Sequence, residues 1–86
     1  MELDKNTIRK IIEELFKFYN TTRVFEAEIR RFLRVNYNIV DEDDFWRILI
    51  EADRLRLITI CASPYKYGEI SIVKGNVRKK YKYRIL

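Results

Sequence analysis

Apolar residues recur every three or four positions in three segments of the chain, a spacing that places them on one face of a helix. The first segment, residues 4–19, carries such a stripe: Ile8, Ile11, Ile12, Leu15 and either Phe18 or Tyr19. Asp4 or Asn6 can cap its start, because a short polar side chain accepts a hydrogen bond from a backbone N–H group of the first turn. Phe16 lies at the edge of the stripe, where it would complete the core or join a dimer contact, and we expect it in the core.

The second segment predicts a helix over residues 25–37. The run Asn20-Thr21-Thr22 separates it from the first helix, because these side chains compete for backbone hydrogen bonds. The core-facing positions of the second helix are Phe25, Ile29, Phe32 and Leu33. Its polar face carries Arg30, Arg31 and Arg34. Glu26 lies one turn before Arg30, a spacing that predicts a weak ion pair between them on the helix. Such a row is usually a solvated face, and phosphate contact is the alternative.

The third segment predicts a helix that runs almost directly into a strand. Asp41 is a natural N-cap, and the core-facing positions after it are Phe45, Ile48, Leu49, Ala52 and Leu55. From Leu57 the period becomes alternating, which predicts a strand over residues 57–61. A turn-rich stretch containing Pro64 and Gly68 follows, then a second strand over residues 69–74. Gly75-Asn76 reads as a tight hairpin turn that leads into a third strand over residues 77–85.

This order of elements resembles the winged helix-turn-helix superfamily over roughly residues 5–74. The resemblance implies an α+β fold, in which three helices precede a two- or three-stranded antiparallel sheet. It also implies DNA binding, with the third helix in the major groove and the wing, residues 65–68, against the backbone. Many members of the superfamily bind proteins instead, so the fold alone does not decide the function.

The composition bounds what this fold can do. The 86 residues form one domain, with a core over residues 5–74 and a basic strand or tail over residues 75–86. Charged residues reach 36%, and the chain has neither His nor Gln, a composition that favours a thermophilic source. The single Cys61 excludes an internal disulfide and fits a reducing compartment. Because the chain also lacks a membrane-length apolar run and a signal-peptide pattern, we expect a cytoplasmic protein.

Catalytic chemistry finds little support in the residues. Without His there is no Ser-His or Cys-His pair, and the two glycines stand at turns rather than in a phosphate-binding loop. Contiguous carboxylates at positions 41–44 lack the alternating ligand spacing of a calcium loop, and a lone Cys61 makes no zinc site. We therefore expect no enzyme activity, no cofactor, no metal and no small-molecule substrate.

The net charge of +5 is distributed unevenly, and this bears on DNA contact. Residues 41–56 carry 3 basic and 6 acidic side chains, whereas residues 57–86 carry 7 basic and 1 acidic. In the third helix, Asp43, Arg47, Ile50 and Arg54 point away from the core, so Arg47 and Arg54 are the side chains that can reach base edges or phosphates. The acidic first turn of this helix would repel phosphates and so opposes such contact. Three arrangements remain open: the helix sits shallowly in the groove, the wing and the tail bind the DNA instead, or the helix binds a basic protein.

The C-terminal residues carry the sharper signal for nucleic-acid binding. Alternation sends Arg78, Lys80, Lys82 and Arg84 to one face of the predicted strand, where four like charges favour an anionic partner. Its other face carries Val77, Tyr81, Tyr83 and Ile85, with Lys79 interrupting this apolar side. The motif Tyr-Lys-Tyr occurs at 65–67 and 81–83, and we expect Tyr65 and Lys66 to touch the DNA backbone from the wing. The structural alternative is that tyrosine favours strands and lysine protects edge strands from aggregation.

Two hypotheses follow. In the first, the protein is a small transcriptional regulator, plausible as a homodimer, that binds double-stranded DNA. In the second, it is an interaction module within a replication or transcription assembly. Trp46 and Ile50 form an apolar strip beside the core face that would anchor such an interface, unless another part of the chain covers them.

Overall fold

The computed structural model describes residues 2–63 and 65–76, and this part of the chain has an α+β architecture. It contains three helices and three strands, in the order α1 Lys5–Tyr19, β1 Arg23–Phe25, α2 Glu26–Tyr37, α3 Glu42–Arg54, β2 Ile58–Ala62 and β3 Ile70–Lys74. The three predicted helices and the strands predicted at 57–61 and 69–74 are confirmed, close to their predicted bounds. Strand β1 was not predicted, and Phe25, predicted as the first core-facing position of the second helix, is instead the last residue of β1 and is half-buried.

Local hydrogen bonds set the helix limits where the sequence places them. The Asp4 carboxylate accepts from the N–H of Thr7 at 2.8 Å, which also lowers the pKa of Asp4. Asp41 caps α3 in the same way, accepting from the N–H of Asp44 at 3.2 Å. At the other ends, each helix is followed by a residue with positive φ: Asn20 after α1, Asn38 after α2 and Arg56 after α3. This left-handed backbone turns the chain out of the helix.

The sheet is antiparallel with the strand order β1-β3-β2, so β3 is its central strand. Val24 of β1 and Ile60 of β2 both stand opposite Ile72 of β3. The sequence predicts a third strand at 77–85, the second half of the predicted hairpin, and this segment lies outside the described residues. In the described sheet, β1 takes the place of that third strand. β1 pairs with one edge of β3 and β2 pairs with the other. Three residues between two helices are too short to show strand alternation, which is why β1 was missed.

The core lies where the helices meet one face of the sheet. Its fully buried aliphatic side chains come from all six elements: Ile8, Ile11, Leu15, Val24, Ile29, Leu33, Ile48, Leu49, Ile58 and Ile72. Phe16 is 4% exposed, so its predicted place in the core is confirmed. Tyr19 packs against the core and its hydroxyl donates to the Glu28 carbonyl at 3.1 Å, whereas Phe18 is 64% exposed. Of the two candidates for the end of the α1 stripe, Tyr19 therefore takes the position.

Candidate nucleic-acid interface

The outward face of α3 is the first part of the candidate interface. Phe45, Ile48, Leu49 and Ala52 are buried on the inner face, as predicted, whereas Leu55, the fifth predicted position, is the C-cap residue and is only half-buried. Asp43, Arg47, Ile50 and Arg54 are exposed on the opposite face, which confirms the predicted orientation of the helix. Arg47 and Arg54 are seven residues apart, which at about 1.5 Å per residue separates them by roughly two turns. Their cationic groups therefore lie on one side of one rigid element.

The two arginines differ in their local electrostatics. Arg54 Nη1 lies 3.5 Å from Glu51 Oε2, while its side chain stays 72% exposed. Exposed pairs of this kind contribute little, so a phosphate can compete with Glu51 for Arg54. Arg47 forms no ion pair with any residue in the described ranges. Both side chains are therefore available to an external anion.

Arg30 organises the acidic start of α3. Its Nη1 and Nη2 donate to both carboxylate oxygens of Glu42 at 2.7 and 3.0 Å, and its Nε donates to Glu26 at 3.0 Å. The guanidinium also lies 3.9 Å from the centre of the Phe45 ring. The hydrogen bonds raise the pKa of Arg30 and lower that of Glu42. The predicted Glu26–Arg30 pair is confirmed, but sequence spacing contains no signal for the contact with Glu42.

This network also links α2 to the sheet. The second oxygen of Glu26 accepts from the backbone N–H of Ile70, at the start of β3, at 3.1 Å. Glu26 and Arg30 together therefore join α2 to α3 and to β3. Because charge-assisted, two-pronged hydrogen bonds constrain direction as well as distance, they help to hold the angle between α2 and α3.

The first turn of α3 is consequently less repulsive to phosphate than its sequence indicates. Asp41 is occupied as the N-cap, and Glu42 is neutralised by Arg30. The other two arginines of the polar face of α2, Arg31 and Arg34, are both exposed. Arg30 itself is committed to internal contacts and is not a free phosphate ligand.

Trp46 and Ile50, predicted as an interface strip, occupy different environments. Trp46 is half-buried, packs against the core and meets the Phe45 ring edge-to-face at 5.1 Å. Ile50 is 50% exposed on the outward face of α3, close in sequence to Arg47. Only Ile50 therefore offers a large apolar surface to a partner at this position.

The loop between β2 and β3, residues 63–69, is the second part of the candidate interface. It is closed by a hydrogen bond from Ser63 N–H to the Glu69 carbonyl at 2.9 Å. The Ser63 hydroxyl oxygen accepts from the N–H groups of Tyr65 and Lys66, both at 3.3 Å. Gly68 has φ +85°, a backbone conformation that side chains disfavour. The loop is therefore held by its own backbone and by the Ser63 side chain, although Pro64 lies outside the described residues.

The tip of this loop presents aromatic and cationic groups to solvent. Tyr65 is 84% exposed, and its ring stands 5.7 Å from that of Phe25. Tyr67 is fully exposed. Lys66 Nζ pairs with Glu69 at 3.0 Å, but the lysine side chain stays 72% exposed. The predicted contact residues Tyr65 and Lys66 are thus accessible, and Tyr67 joins them.

The remaining predicted contact residues, Arg78, Lys80, Lys82 and Arg84, lie outside the described residues. The charge count nevertheless divides the chain sharply. Positions 77–86 hold five of the 18 Lys and Arg residues and none of the 13 Asp and Glu residues. The other 76 residues therefore balance to zero, and the whole net charge of +5 belongs to the last ten.

Residues 2–63 and 65–76 contain neither a cluster of metal ligands nor a membrane-spanning helix. No group of three or more His, Cys, Asp or Glu side chains there could hold a metal ion. None of the helices in these ranges combines the length and the apolar character needed to span a bilayer. Comparison with known proteins finds no matching family model, no similar curated protein and no similar solved structure.

Proposed function

We propose that this protein binds double-stranded DNA through a winged-helix arrangement and acts as a small transcriptional regulator. In this arrangement α3 enters the major groove and the β2–β3 loop lies against the phosphate backbone. Residues 77–86 supply the whole net positive charge of the chain. The order of elements, with two helices before α3 and a β-hairpin after it, supports the proposal.

The observation that carries the proposal is the separation of charge along the chain. A neutral body precedes ten residues that hold a net charge of +5. Neutralising phosphates releases condensed counterions, so binding by this segment depends strongly on salt. The segment also interleaves Tyr81 and Tyr83 with lysines, which suits contact with a polyanion that carries stacked bases.

The outward face of α3 supplies the contacts in the groove. Arg47 and Arg54 can donate two hydrogen bonds each to guanine edges, or one to a phosphate. Because Asp43 remains exposed in the first turn, contact is made from the middle of α3 onwards. In the β2–β3 loop, Lys66 contacts a phosphate, and Tyr65 and Tyr67 contact the sugar backbone.

The salt dependence of binding tests the proposal. Binding of a labelled duplex is measured by fluorescence anisotropy from about 50 to 200 mM salt, and the logarithm of the association constant is plotted against that of the salt concentration. Replacing Lys80, Lys82 and Arg84 by Gln should weaken binding and reduce the slope by roughly three. The matched control removes three cations from exposed positions of α1, by Lys5→Gln, Arg9→Gln and Lys10→Gln.

The two variants separate local contact from net charge, because each loses three positive charges. A lost slope in the C-terminal variant alone supports the proposal. Equal losses in both would show that net charge alone attracts the DNA. Absence of duplex binding at low salt, or binding that salt does not alter, would overturn the proposal.

The exposure of Ile50 favours a second candidate, an interaction module that binds another protein through α3. Ile50→Ser and Arg47→Ala distinguish the two functions, because both positions are exposed and neither supports the core. Weakened duplex binding in Arg47→Ala, with Ile50→Ser near wild type, favours DNA binding. Duplex binding that neither variant alters, together with loss of binding to a partner protein in Ile50→Ser alone, favours the interaction module. Trp46 is a poor probe, because its half-buried ring also packs against the core.

A further inference from the structure

A hollow of about 590 Å³ lies between α1 and the end of the sheet at which β3 stops. Arg9, Glu13 and Lys17 line it from α1, spaced by four residues so that they share one face of the helix. The volume falls in the range of roughly 300–1,000 Å³ that holds small ligands. None of these three residues belongs to the outward face of α3 or to the β2–β3 loop, so the DNA-binding proposal leaves the hollow unused.

Backbone hydrogen bonds join the walls of this hollow. The N–H of Lys74 donates to the Thr22 carbonyl at 2.9 Å, which ties the end of β3 to the turn after α1. The N–H of Gly75 donates to the carbonyl of Leu57, the residue before β2, at 2.7 Å. Because these segments are already fixed to one another, a ligand does not have to order them when it binds.

Two lysines meet at the end of the hollow that is nearest this turn. Lys17 lies in the last turn of α1, and Lys74 lies at the end of β3, next to Thr22. Neither lysine forms an ion pair with another residue of the described ranges. The negative end of the α1 dipole amounts to about half a charge, which is less than the two positive charges of the lysines. This end of the hollow therefore attracts an anion.

Two carboxylates lie one turn before Lys17, and neither neutralises it. Glu13 lines the hollow, but Arg9 lies a further turn away on the same face and offsets its charge. Glu14 lines a neighbouring hollow and accepts a hydrogen bond from the Tyr37 hydroxyl. With three cations against one carboxylate, the lining of the hollow has a net charge of +2.

Uncharged donors and an apolar floor complete the hollow. The Asn20 amide and the hydroxyls of Thr21 and Thr22 lie at the lysine end, where they can donate hydrogen bonds to an anion. A phosphate monoester carries a charge of about −1.5 to −2 at pH 7 and three acceptor oxygens, which match two lysines and several neutral donors. The floor consists of apolar side chains from α1 and from the residue before β2: Ile12, Phe16 and Leu57.

From this combination of charge, donors and apolar floor we propose that the hollow binds a small phosphate monoester with an apolar or aromatic body. The phosphate lies between Lys17 and Lys74, and the body lies along the floor towards Arg9. A carboxylate, with a single charge and two oxygens, matches the lysine end less well. The inference is independent of the proposed function.

Titration of the full chain with 1-naphthyl phosphate, followed by NMR of the backbone amide signals, tests the inference. The signals of Thr21, Thr22 and Leu57 should shift as the probe binds. The probe should bind at least about tenfold more tightly than inorganic phosphate, because burial of roughly 60 Å² of its ring supplies that factor. It should also bind more tightly than 1-naphthoate, which keeps the ring but carries one charge.

A double variant tests the role of the two lysines. Lys17→Gln with Lys74→Gln should raise the dissociation constant of 1-naphthyl phosphate at least about tenfold, because it removes charge-assisted hydrogen bonds to the phosphate. The matched control, Lys5→Gln with Lys10→Gln, removes the same charge from exposed positions of α1 outside the hollow. At about 0.15 M salt it should change the constant by less than about twofold, because salt screens distant charges. Circular dichroism checks that each variant is folded.

Four outcomes would overturn the proposal. They are equal weakening in the two double variants, amide shifts confined to residues 77–86, binding no tighter than that of inorganic phosphate, and tighter binding of 1-naphthoate. Displacement of the probe by a DNA duplex without terminal phosphates would also overturn it, because the hollow would then belong to the DNA-binding surface.

Discussion

Arg30 is the residue at which the polar contacts of α2 and α3 converge. Its contact with Glu26 could be read from their four-residue spacing, because side chains one turn apart on a helix are neighbours. Its contact with Glu42 could not, since those residues are joined only by the packing of two helices. The same limit applies to the contact between Tyr37 and Glu14. Burial and this hydrogen bond raise the pKa of Tyr37 to about 12.

At this scale we expect Glu42 to contribute stability that acid removes. Its pKa in the folded protein is lowered below 4.5 by the hydrogen bonds from Arg30, so the folded state binds the proton less readily than the unfolded chain. The contribution is therefore present above pH 4.5 and is lost as the pH falls through the lowered pKa. Glu42→Gln should flatten the pH dependence of the unfolding free energy between about pH 5 and 3, as measured by urea denaturation.

Asp43→Asn is the control for this prediction. It removes a carboxylate from the same turn of α3 without disturbing the contact between Arg30 and Glu42. If Asp43→Asn flattened the pH dependence as much as Glu42→Gln, the effect would belong to the general charge of the turn rather than to the pair.

Each of the three helices is followed by a residue with positive φ, but the sequence favours this conformation only after α1 and α2. Asn20 and Asn38 follow α1 and α2 with positive φ, and Asn is the residue that tolerates this conformation best after Gly. At the end of α3 the residue with positive φ is an arginine, Arg56, with φ 63°. The N–H of Leu57 donates to the Ala52 carbonyl at 2.9 Å, and that of Arg56 to the Asp53 carbonyl at 3.0 Å. This is a Schellman motif with Arg where Gly is usual.

We expect Arg56→Gly to stabilise the protein by about 0.5–1 kcal/mol. Glycine removes the clash that a side chain meets at positive φ, and this gain exceeds the greater flexibility of the unfolded chain. Chemical denaturation at high salt measures the change without long-range charge effects. Arg47→Gly removes the same charge from the interior of α3 and should cost about 1 kcal/mol. A loss of stability in both variants would contradict the interpretation of the α3 terminus.

The whole molecule depends on α3, which packs against α1 and β2. Ile48 is fully buried in this contact, whereas Ile50, two positions later, is 50% exposed. Because the core is shared by all three helices and the sheet, a cavity at Ile48 should weaken the domain as one cooperative unit.

Ile48→Ala should lower the unfolding free energy by about 2–5 kcal/mol, through lost burial and the cavity left behind. Ile50→Ala removes the same atoms from the surface and should cost less than about 1 kcal/mol. Thermal unfolding of the two variants provides the measurement. Similar costs at both positions would mean that the inner and outer faces of α3 are wrongly assigned.

Short-range interactions explain what the sequence determined by itself. The faces of the three helices, the caps at Asp4 and Asp41, and strands β2 and β3 all depend on residues within about four positions of one another. The placement of the entire net charge in residues 77–86 is likewise a property of the sequence alone.

Only the tertiary structure decided the features that join distant residues. The pairing of Arg23–Phe25 with β3 depends on a partner almost fifty residues away. Tyr19, rather than Phe18, packs against the core, and its hydroxyl donates a hydrogen bond to the carbonyl of Glu28 in another helix. Arg30 meets Glu42, and Phe18 is left facing solvent, because α1, α2 and α3 pack in one particular arrangement. Periodicity specifies which face of an element is apolar, whereas packing specifies what that face meets.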